Sequence, residues 1–443
     1  MNNRMIIGLE VHVELKTKSK MFCRCSTEYF GKEPNTHTCP ICLGLPGALP
    51  YPNRQAIEWC ILIGLALNCE ILNHSKFDRK NYFYPDLPKG YQISQYDLPF
   101  CINGKINVDF NDKQKSIRIR RVHMEEDTGK LIHQTINGKG VSLIDFNRSG
   151  VPLVEIVTEP DFENAFEVKQ YLQKLQQIVR YLGVSDADME KGQMRLEPNI
   201  SISLNLKSND LPKYKVEVKN INSFSFVEKA INYELKRQLE ILEKGQTPLQ
   251  ETRGWDENKQ ATVSQRIKEE ANDYRYFPEP DIPPIELTDA EIKSIKNTLP
   301  ELPDQKTDRF QKEYLLTAYD AQILTRERAL TDYFEEACEL GKNENITPKQ
   351  IANLIINKKI NPDEVLPAEL IKQIILTHKN NDIGEEELRQ VIQKILKTYP
   401  NIAVEYASGK ENILQFAIGQ VMYIIKKKID INLVRKLILE ELK

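Results

Sequence analysis

The chain has 443 residues, of which 40% are hydrophobic and 28% are charged, and its formal net charge is -3. The length predicts about two or three domains, and the absence of an overall basic charge means that any RNA contact needs local basic patches. The longest apolar run, residues 60–69, is about half of the roughly 20 residues that span a bilayer, and the N-terminus shows no signal-peptide pattern. We therefore expect a cytoplasmic protein without a membrane partner.

The first predicted element is a strand. Residues 6–15 alternate between apolar side chains and a polar set that includes Glu10, His12 and Glu14, which is the period of a strand with two different faces. One interpretation is a half-buried edge strand whose charged face meets water. The other is a set of carboxylate and imidazole ligands held on a rigid strand.

Four cysteines follow as two close pairs. Cys23 and Cys25 are separated from Cys39 and Cys42 by 13 residues, and two such pairs supply the four thiolates of a closed tetrahedral Zn²⁺ site. The alternative is four unrelated buried cysteines. We predict a structural zinc site without a catalytic role, and we interpret the other four cysteines as core or incidental residues.

The segment 77–100 is rich in aromatic residues and prolines and carries Lys80 and Lys89. It is too irregular for a helix and too polar for a buried strand. Aromatic side chains with lysines suit the unpaired end of an RNA. A packed surface loop that uses tyrosines as filler explains the segment equally well.

Two further segments carry carboxylates. His123 and Glu125 share one face of a predicted strand that runs into the oxygen-rich turn 126–129, and Glu155 lies inside the apolar run 150–157. An ionised carboxylate in an apolar run is costly unless it is paired or bound to a metal. With Glu10 and His12, these residues predict a catalytic metal or phosphate site, and solvated strand faces are the alternative.

Later segments are increasingly helical. Apolar stripes predict helices at residues 165–182 and 227–242, which end at Gly183 and Gly245. The proline-rich stretch 277–303 predicts a boundary, and beyond about residue 294 the sequence has helical spacing. The pattern predicts an α+β protein with a mixed N-terminal part and a helical C-terminal part.

Several nucleotide and nucleophile motifs are absent. The sequence contains no Walker A loop, no Gly-rich dinucleotide fingerprint after a strand, no G-x-S-x-G elbow and no recognisable Ser–Lys or Cys–His set. Any use of ATP therefore depends on metal and carboxylates.

Long ordered runs of the chain resemble the GatB family, the B subunits of the aspartyl/glutamyl-tRNA amidotransferases. The resemblance covers nearly the whole chain. It rests on GLEVHVEL (8–15), CPICLGLPGALP (39–50), KNYFYPDLPKGYQISQYD (80–97), HMEEDTGK (123–130), DFNRSGVPLVEIVTEPD (145–161), VEVKNINSF (216–224), DYRYFPEPD (273–281) and FAIGQVMYIIKKK (416–428).

The resemblance implies a catalytic cradle domain at 1–293, a helical domain at 294–382 and a small helical tail domain at 383–443. It also implies a heterotrimer in which the two partners are an amidase subunit, which hydrolyses glutamine, and a small third subunit. The expected activity is the ATP-dependent conversion of Glu-tRNA(Gln), of Asp-tRNA(Asn), or of both, to the amide form with ammonia released by the amidase. The missing nucleophile set agrees with this division of work.

Residue roles follow from the same resemblance. Glu10, His12, Glu125 and Glu155 are expected around ATP and Mg²⁺, with His12, Glu125 and Glu155 as the Mg²⁺ ligands. Two lysines, Lys80 and Lys89, are expected near the mouth of an ammonia channel, and Arg148 is expected to contact phosphate. A tRNA-binding scaffold without chemistry and a stand-alone ligase for a small metabolite are the competing functions.

Overall fold

The computed structural model describes residues 3–110, 113–204, 210–267, 274–358, 360–381, 385–410, 412–425 and 431–442. The chain divides into two compact units, Met1–Lys306 and Thr307–Lys443. Within the described residues no helix is long and apolar enough to cross a membrane.

The strands belong to the first unit. They are β1 (Arg4–Glu14), β2 (Glu70–Ile71), β3 (His74–Ser75), β4 (Asp78–Asn81), β5 (Tyr91–Ser94), β6 (Cys101–Phe110), β7 (Lys113–Glu126), β8 (Lys130–Ile136), β9 (Lys139–Asp145), β10 (Pro152–Thr158), β11 (Met194–Ser203), β12 (Val216–Lys219), β13 (Glu251–Asp256), β14 (Ala261–Ile267), β15 (Phe277–Pro278) and β16 (Ile285–Glu286). The predicted first strand is confirmed as β1.

Thirteen helices lie within the described residues. They are α1 (Arg54–Ala66), α2 (Ala165–Tyr181), α3 (Phe224–Glu243), α4 (Asp289–Asn297), α5 (Pro303–Glu313), α6 (Ala318–Leu324), α7 (Arg328–Lys342), α8 (Pro348–Lys358), α9 (Pro367–Asn381), α10 (Glu385–Thr398), α11 (Asn401–Ala407), α12 (Ile413–Ile425) and α13 (Ile431–Glu441). The mixed first unit and the helical second unit confirm the predicted α+β class.

The two helices predicted from apolar stripes are confirmed as α2 and α3. Each begins at a residue whose side chain accepts a backbone N–H of the first turn, Asn164 for α2 and Ser223 for α3. Each is followed by a glycine with positive φ, Gly183 at 71° and Gly245 at 75°, a conformation that glycine adopts without strain.

A nine-stranded sheet forms the centre of the first unit. Its strand order is β14-β13-β12-β11-β1-β10-β7-β6-β2, and β1 is antiparallel to both of its neighbours. The apolar side chains of β1, including Leu9, Val11 and Val13, are almost fully buried and belong to one core cluster with residues of α1, α2 and α3. The opposite face of these strands carries the polar side chains.

Three smaller sheets accompany the large one. Strands β15, β4 and β5 form a three-stranded sheet, while β16 pairs with β3 and β8 pairs with β9. The three-stranded sheet matters most for function, because it carries Lys80 on β4 and Gln92 and Ser94 on β5.

The described part of the second unit is helical. Its buried side chains form two separate apolar clusters, one drawn from residues 310–374 and the other from residues 388–438. The basic run 426–428 lies outside the described residues.

A fully buried carboxylate fastens α3 to the edge strands β13 and β14. Glu234 is 0% exposed and accepts hydrogen bonds from Arg237 at 2.9 Å, from Gln238 at 2.9 Å and from the hydroxyl of Thr262. Arg253 of β13 lies 3.1 Å from the same carboxylate. The buried charge is therefore compensated from a helix and two strands.

We predict that Glu234→Ala lowers the free energy of unfolding by about 1–3 kcal/mol, because the buried donors of Gln238 and Thr262 lose their acceptor. Arg237 and Arg253 are partly buried and keep Glu251 as a partner. The matched control is Glu228→Ala on the same helix. Its partly exposed ion pair with Lys169 at 2.9 Å contributes less than about 1 kcal/mol. Urea denaturation measures both, and equal stabilities for the two variants would contradict the prediction.

Candidate active site and metal-binding clusters

Strand pairing brings the predicted ligands together. His12 of β1 lies opposite Glu155 of β10, and Glu155 lies opposite His123 of β7. Glu125 is two residues from His123 and shares its face, since side chains alternate along a strand. Three separate predicted segments therefore meet on the polar face at the centre of the sheet.

Four side chains, those of His12, His123, Glu125 and Glu155, form a closely spaced central group; His12 is partly exposed and the other three are buried. His12 Nε2 lies 3.5 Å from a Glu155 oxygen and 3.8 Å from a Glu125 oxygen. His123 Nε2 lies 3.2 Å from Glu155 and 3.5 Å from Glu125. One ligand atom from each of His12, Glu125 and Glu155 lies within 4.8 Å of the other two, so these atoms could hold a single cation.

The small sheet supplies the neighbours of Glu125. Ser94 donates its hydroxyl to Glu125 at 2.8 Å, and the Gln92 amide donates at 3.1 Å. Lys80 Nζ lies 3.6 Å from the same carboxylate and 5.3 Å over the ring of Tyr274. Lys80 was expected near the mouth of an ammonia channel, and the structure places its ammonium group beside the carboxylate of Glu125 in the central group.

Burial and neighbouring charges shift the pKa values of these side chains in opposite directions. Burial lowers the pKa of His12, but the charges of Glu155, Glu197 and Glu125 outweigh it and raise the pKa to about 9. Burial raises the pKa of Glu125, but Lys80 and His123 together lower it to about 2. In the absence of a bound cation, ionised carboxylates of the central group therefore face protonated nitrogen groups and are stabilised by them.

Glu10 takes part in a neighbouring carboxylate cluster. It lies opposite Glu197 of β11, and ligand atoms of Glu10, Glu197 and Glu217 lie within 4.8 Å of one another. Asn199 donates to Glu10 at 2.9 Å, and Lys219 lies 2.9 Å from Glu197. Burial and the charge of Glu155 raise the pKa of Glu10, as expected for crowded carboxylates.

Sequence reasoning missed Glu197 and Glu217. The available signal was a glutamate inside an apolar alternation, in MRLEPNI and in KVEVK, which is the signal that identified Glu155. What was missing was the strand order, because only the pairing of β11 with β1 and of β12 with β11 brings the two carboxylates to Glu10.

Lys89 and Arg148 have defined partners at the end of β7. The Lys89 ammonium pairs with Glu126. Arg148 donates to the carbonyl oxygens of Thr128 at 2.9 Å and Gly129 at 2.7 Å and lies 3.6 Å from Asp127. These bonds hold the turn after Glu125, and the roles expected for both residues stay predictions.

The aromatic segment 77–100 divides into two parts. Phe77 is 1% exposed and packs edge-on against Phe22 and Phe100, as a packed loop would. Phe83 and Tyr84 are 91% and 60% exposed, and Tyr96 stacks on Tyr276 with ring centroids 4.3 Å apart. The segment also contains β4 and the largely buried β5, so the expectation that it is too polar for a buried strand was wrong. Its interpretation as a contact for the unpaired end of an RNA stays a prediction.

The four cysteines Cys23, Cys25, Cys39 and Cys42 also meet. Their sulfur atoms lie within 4.8 Å of one another, so the cluster could hold a metal ion. Cys39 and Cys42 sulfurs are 3.9 Å apart, and a tetrahedral zinc site with bonds of about 2.3 Å has sulfurs about 3.8 Å apart. A hydrogen bond from Cys23 and the charge of the nearby Lys20 lower the pKa of Cys42 to about 5.

We predict that His12→Ala lowers the affinity of the protein for Mn²⁺, used as a probe for Mg²⁺, at least about tenfold, because one of three clustered donors is lost. The control is His133→Ala on β8, where the imidazole is exposed and contacts Ser142 at 2.8 Å. Titration of free Mn²⁺ by electron paramagnetic resonance measures both. An affinity equal to that of the unaltered protein would argue against this cluster as the cation site.

Comparison with known proteins shows the family of the chain. Residues 5–293 match a family model described as the GatB/GatE catalytic domain, and residues 322–442 match one described as a GatB domain. The chain is similar to proteins named as the B subunit of aspartyl/glutamyl-tRNA(Asn/Gln) amidotransferase. The one from Thermodesulfovibrio yellowstonii is 45% identical over 100% of both chains, and the one from Persephonella marina is 46% identical over 99% of both. The resemblance found in the sequence is confirmed, and the chain belongs to the GatB family.

Proposed function

We propose that this chain is the B subunit of a tRNA-dependent amidotransferase. It uses ATP to activate the side-chain carboxylate of Glu-tRNA(Gln), of Asp-tRNA(Asn), or of both, and combines it with ammonia. The observation that carries the proposal is the buried group of His12, Glu125 and Glu155 beside Lys80 on the central strands. Such a group of ionisable side chains on rigid elements is typical of an active site.

The reaction needs activation because a carboxylate has no good leaving group. A carboxylate oxygen of the substrate forms a bond to the γ-phosphorus of ATP while the bond to ADP breaks, which gives an acyl phosphate. Ammonia then attacks the carbonyl carbon, loses a proton and displaces phosphate. Positioning and charge neutralisation do most of the work in phosphoryl transfer.

The residues present fit a Mg²⁺ ion. Oxygen ligands of Glu125 and Glu155 are the type that Mg²⁺ prefers, and His12 adds a nitrogen. A Mg²⁺ ion held by these residues would neutralise phosphate charge and help to orient the nucleotide. His123, Gln92 and Ser94 hold the two carboxylates in place, and Glu10 with Glu197 and Glu217 adds further carboxylate ligands next to them.

The chain depends on partners for ammonia. It carries no nucleophile set for glutamine hydrolysis, so we propose that a separate amidase subunit releases ammonia and that a small third subunit completes a heterotrimer. Lys80 and Lys89, paired with Glu125 and Glu126, are our candidates for the place where ammonia reaches the carboxylate. An acyl phosphate hydrolyses readily, so exclusion of water matters here.

Reconstitution tests the proposed function. The purified chain is incubated with Glu-tRNA(Gln), MgATP and ammonium chloride, first alone and then with its two partner subunits. Gln-tRNA(Gln) formed in either mixture supports the proposal. ATP hydrolysis that depends on free glutamate and not on aminoacyl-tRNA would favour a small-metabolite ligase. Absence of amide even with all three proteins would favour a scaffold.

We predict that Glu125→Gln abolishes amide formation and leaves tRNA binding nearly unchanged, because it removes a charged ligand that Ser94, Gln92 and Lys80 hold in the site. Glu70→Gln, on the exposed edge of the same sheet, is the control and should retain full activity. A filter-binding assay and an amidation assay measure the two properties. Equal activity of the two variants would refute the role of Glu125.

The cysteine cluster is proposed to bind structural zinc. All four thiolates would bind the ion, which would leave no open position for catalysis. Lys20 is 0% exposed, lies 3.7 Å from the Cys42 sulfur and donates to the carbonyl of His37 at 2.8 Å. A buried ammonium suits a tetrathiolate zinc site, because that site carries a net negative charge.

We predict that the unaltered protein contains about one zinc per chain and that Cys39→Ser combined with Cys42→Ser removes it and lowers the thermal unfolding temperature. Cys338→Ser in α7, outside the cluster, should keep its zinc. Elemental analysis of the purified proteins measures the metal. Zinc retained by the double variant would exclude this site.

A further inference from the structure

Three arginines of β7 lie on the polar face of the sheet, and an irregularity in the strand brings two of them there in succession. Opposite β10, Val157 pairs with Arg121 and the next residue, Thr158, pairs with Ile119, so Arg120 is an extra residue. Ile119 and Val122 on either side are buried in the core. Arg120 and Arg121 therefore both lie on the opposite face, as at a β-bulge, a feature that often re-aims side chains beside active sites.

Two of the arginines on this face are neutralised. Arg118 holds Asp161 through two nitrogens at 3.0 and 2.6 Å. Arg120 holds Glu159 through two nitrogens, each at 2.9 Å. Such two-pronged pairs satisfy both the charge and the geometry of a guanidinium.

Arg121 differs from both. It forms no ion pair with a carboxylate among the residues that the structure describes. Its Nη1 donates to the carbonyl oxygen of Tyr96 at 3.0 Å, and its Nε is buried without a hydrogen-bond acceptor in the described chain. Buried donors are normally satisfied, so one that is not calls for an explanation such as a bound ligand.

Its position is beside the central group. Arg121 precedes His123 by two residues on the same face, and across Val157 it lies in line with Glu10. The Tyr96 backbone that fixes it carries a ring stacked on Tyr276. Burial raises the pKa of Tyr276 to about 12; Glu125 and Glu155 raise it further, while the charges of Lys80 and Arg121 lower it.

Negative and positive side chains therefore lie on different strands of the site. The carboxylates of Glu10, Glu197 and Glu217 lie on β1, β11 and β12, while Arg121 lies on β7. Lys80 is already paired with Glu125. A guanidinium with free donors beside a cation-binding group is arranged for an anion that bridges the two.

We propose that Arg121 binds an oxyanion of the reacting substrates at this site, a contact that rests on the proposed function. Two sources share this chemistry, the phosphates of ATP and the side-chain carboxylate of the aminoacyl group. The buried Nε and the adjacent Nη donate to the oxyanion, and the Tyr96 carbonyl keeps the guanidinium plane in position. Arg121 therefore contributes to substrate binding, and Arg118 and Arg120 do not.

The test uses the complete complex with ammonium chloride as nitrogen donor. Arg121→Ala should lower kcat/KM on the order of 100-fold, as loss of one partner of a buried charged pair does, while Arg118→Ala stays within about twofold since its exposed ion pair contributes little. A raised KM for ATP identifies phosphate as the anion, and a raised KM for aminoacyl-tRNA identifies the carboxylate. Arg121→Lys should recover part of the loss, because it keeps the charge without the fork.

A second variant covers the case in which Arg121→Ala fails to fold. Arg121→Met keeps the apolar stem of the side chain and replaces the alanine variant in that case. A folded Arg121→Met or Arg121→Ala complex with both KM values and kcat within about twofold of the unaltered complex overturns the inference while leaving the proposed function intact. If the unaltered complex forms no amide, the proposed function fails, and unchanged Kd values of Arg121→Met for both ATP and aminoacyl-tRNA, measured by equilibrium dialysis and by filter binding, overturn the inference as well.

Discussion

Compensation of buried charge is the constraint on which the first unit depends. Glu125 and Glu155 are almost fully buried, and removing a carboxylate from water is costly unless cations and hydrogen-bond donors replace the water. Here His12, His123 and Lys80 do so from three different strands. Folding of the sheet and assembly of the site are therefore the same event, because the carboxylates are tolerated only when the strands have paired.

The apolar face of the same strands holds this arrangement in register. A shift by one residue would move His12 into the core and Val11 onto the polar face, since side chains alternate with a period of two. The core between the sheet and helices α1–α3 opposes such a shift. The protein thus uses hydrophobic burial on one face to fix the positions of ionisable groups on the other.

The same principle recurs away from the centre. Lys20 lies buried against the cysteine cluster, and Glu234 lies buried among arginines that fasten α3 to the sheet edge. Arg121 is the exception among the arginines of β7, because Arg118 and Arg120 have carboxylate partners and Arg121 has none within the described part of the chain. In a molecule that compensates its buried charges, an uncompensated cation beside the site indicates a place for a substrate anion.

The class of fold, the polar face of β1, the helices α2 and α3 and the paired cysteines were predictable from the sequence, because periodicity and spacing are local properties. The family was identified from long runs that resemble its members. The sequence also named His12, Glu125 and Glu155, since a carboxylate inside an apolar strand is visible without coordinates. That Glu197 and Glu217 join Glu10, that Lys80 reaches Glu125 and that Arg121 lies beside the site could be seen only in the folded chain. Periodicity gives the face of a residue on its own strand, but strand order, register and a bulge decide which residues meet.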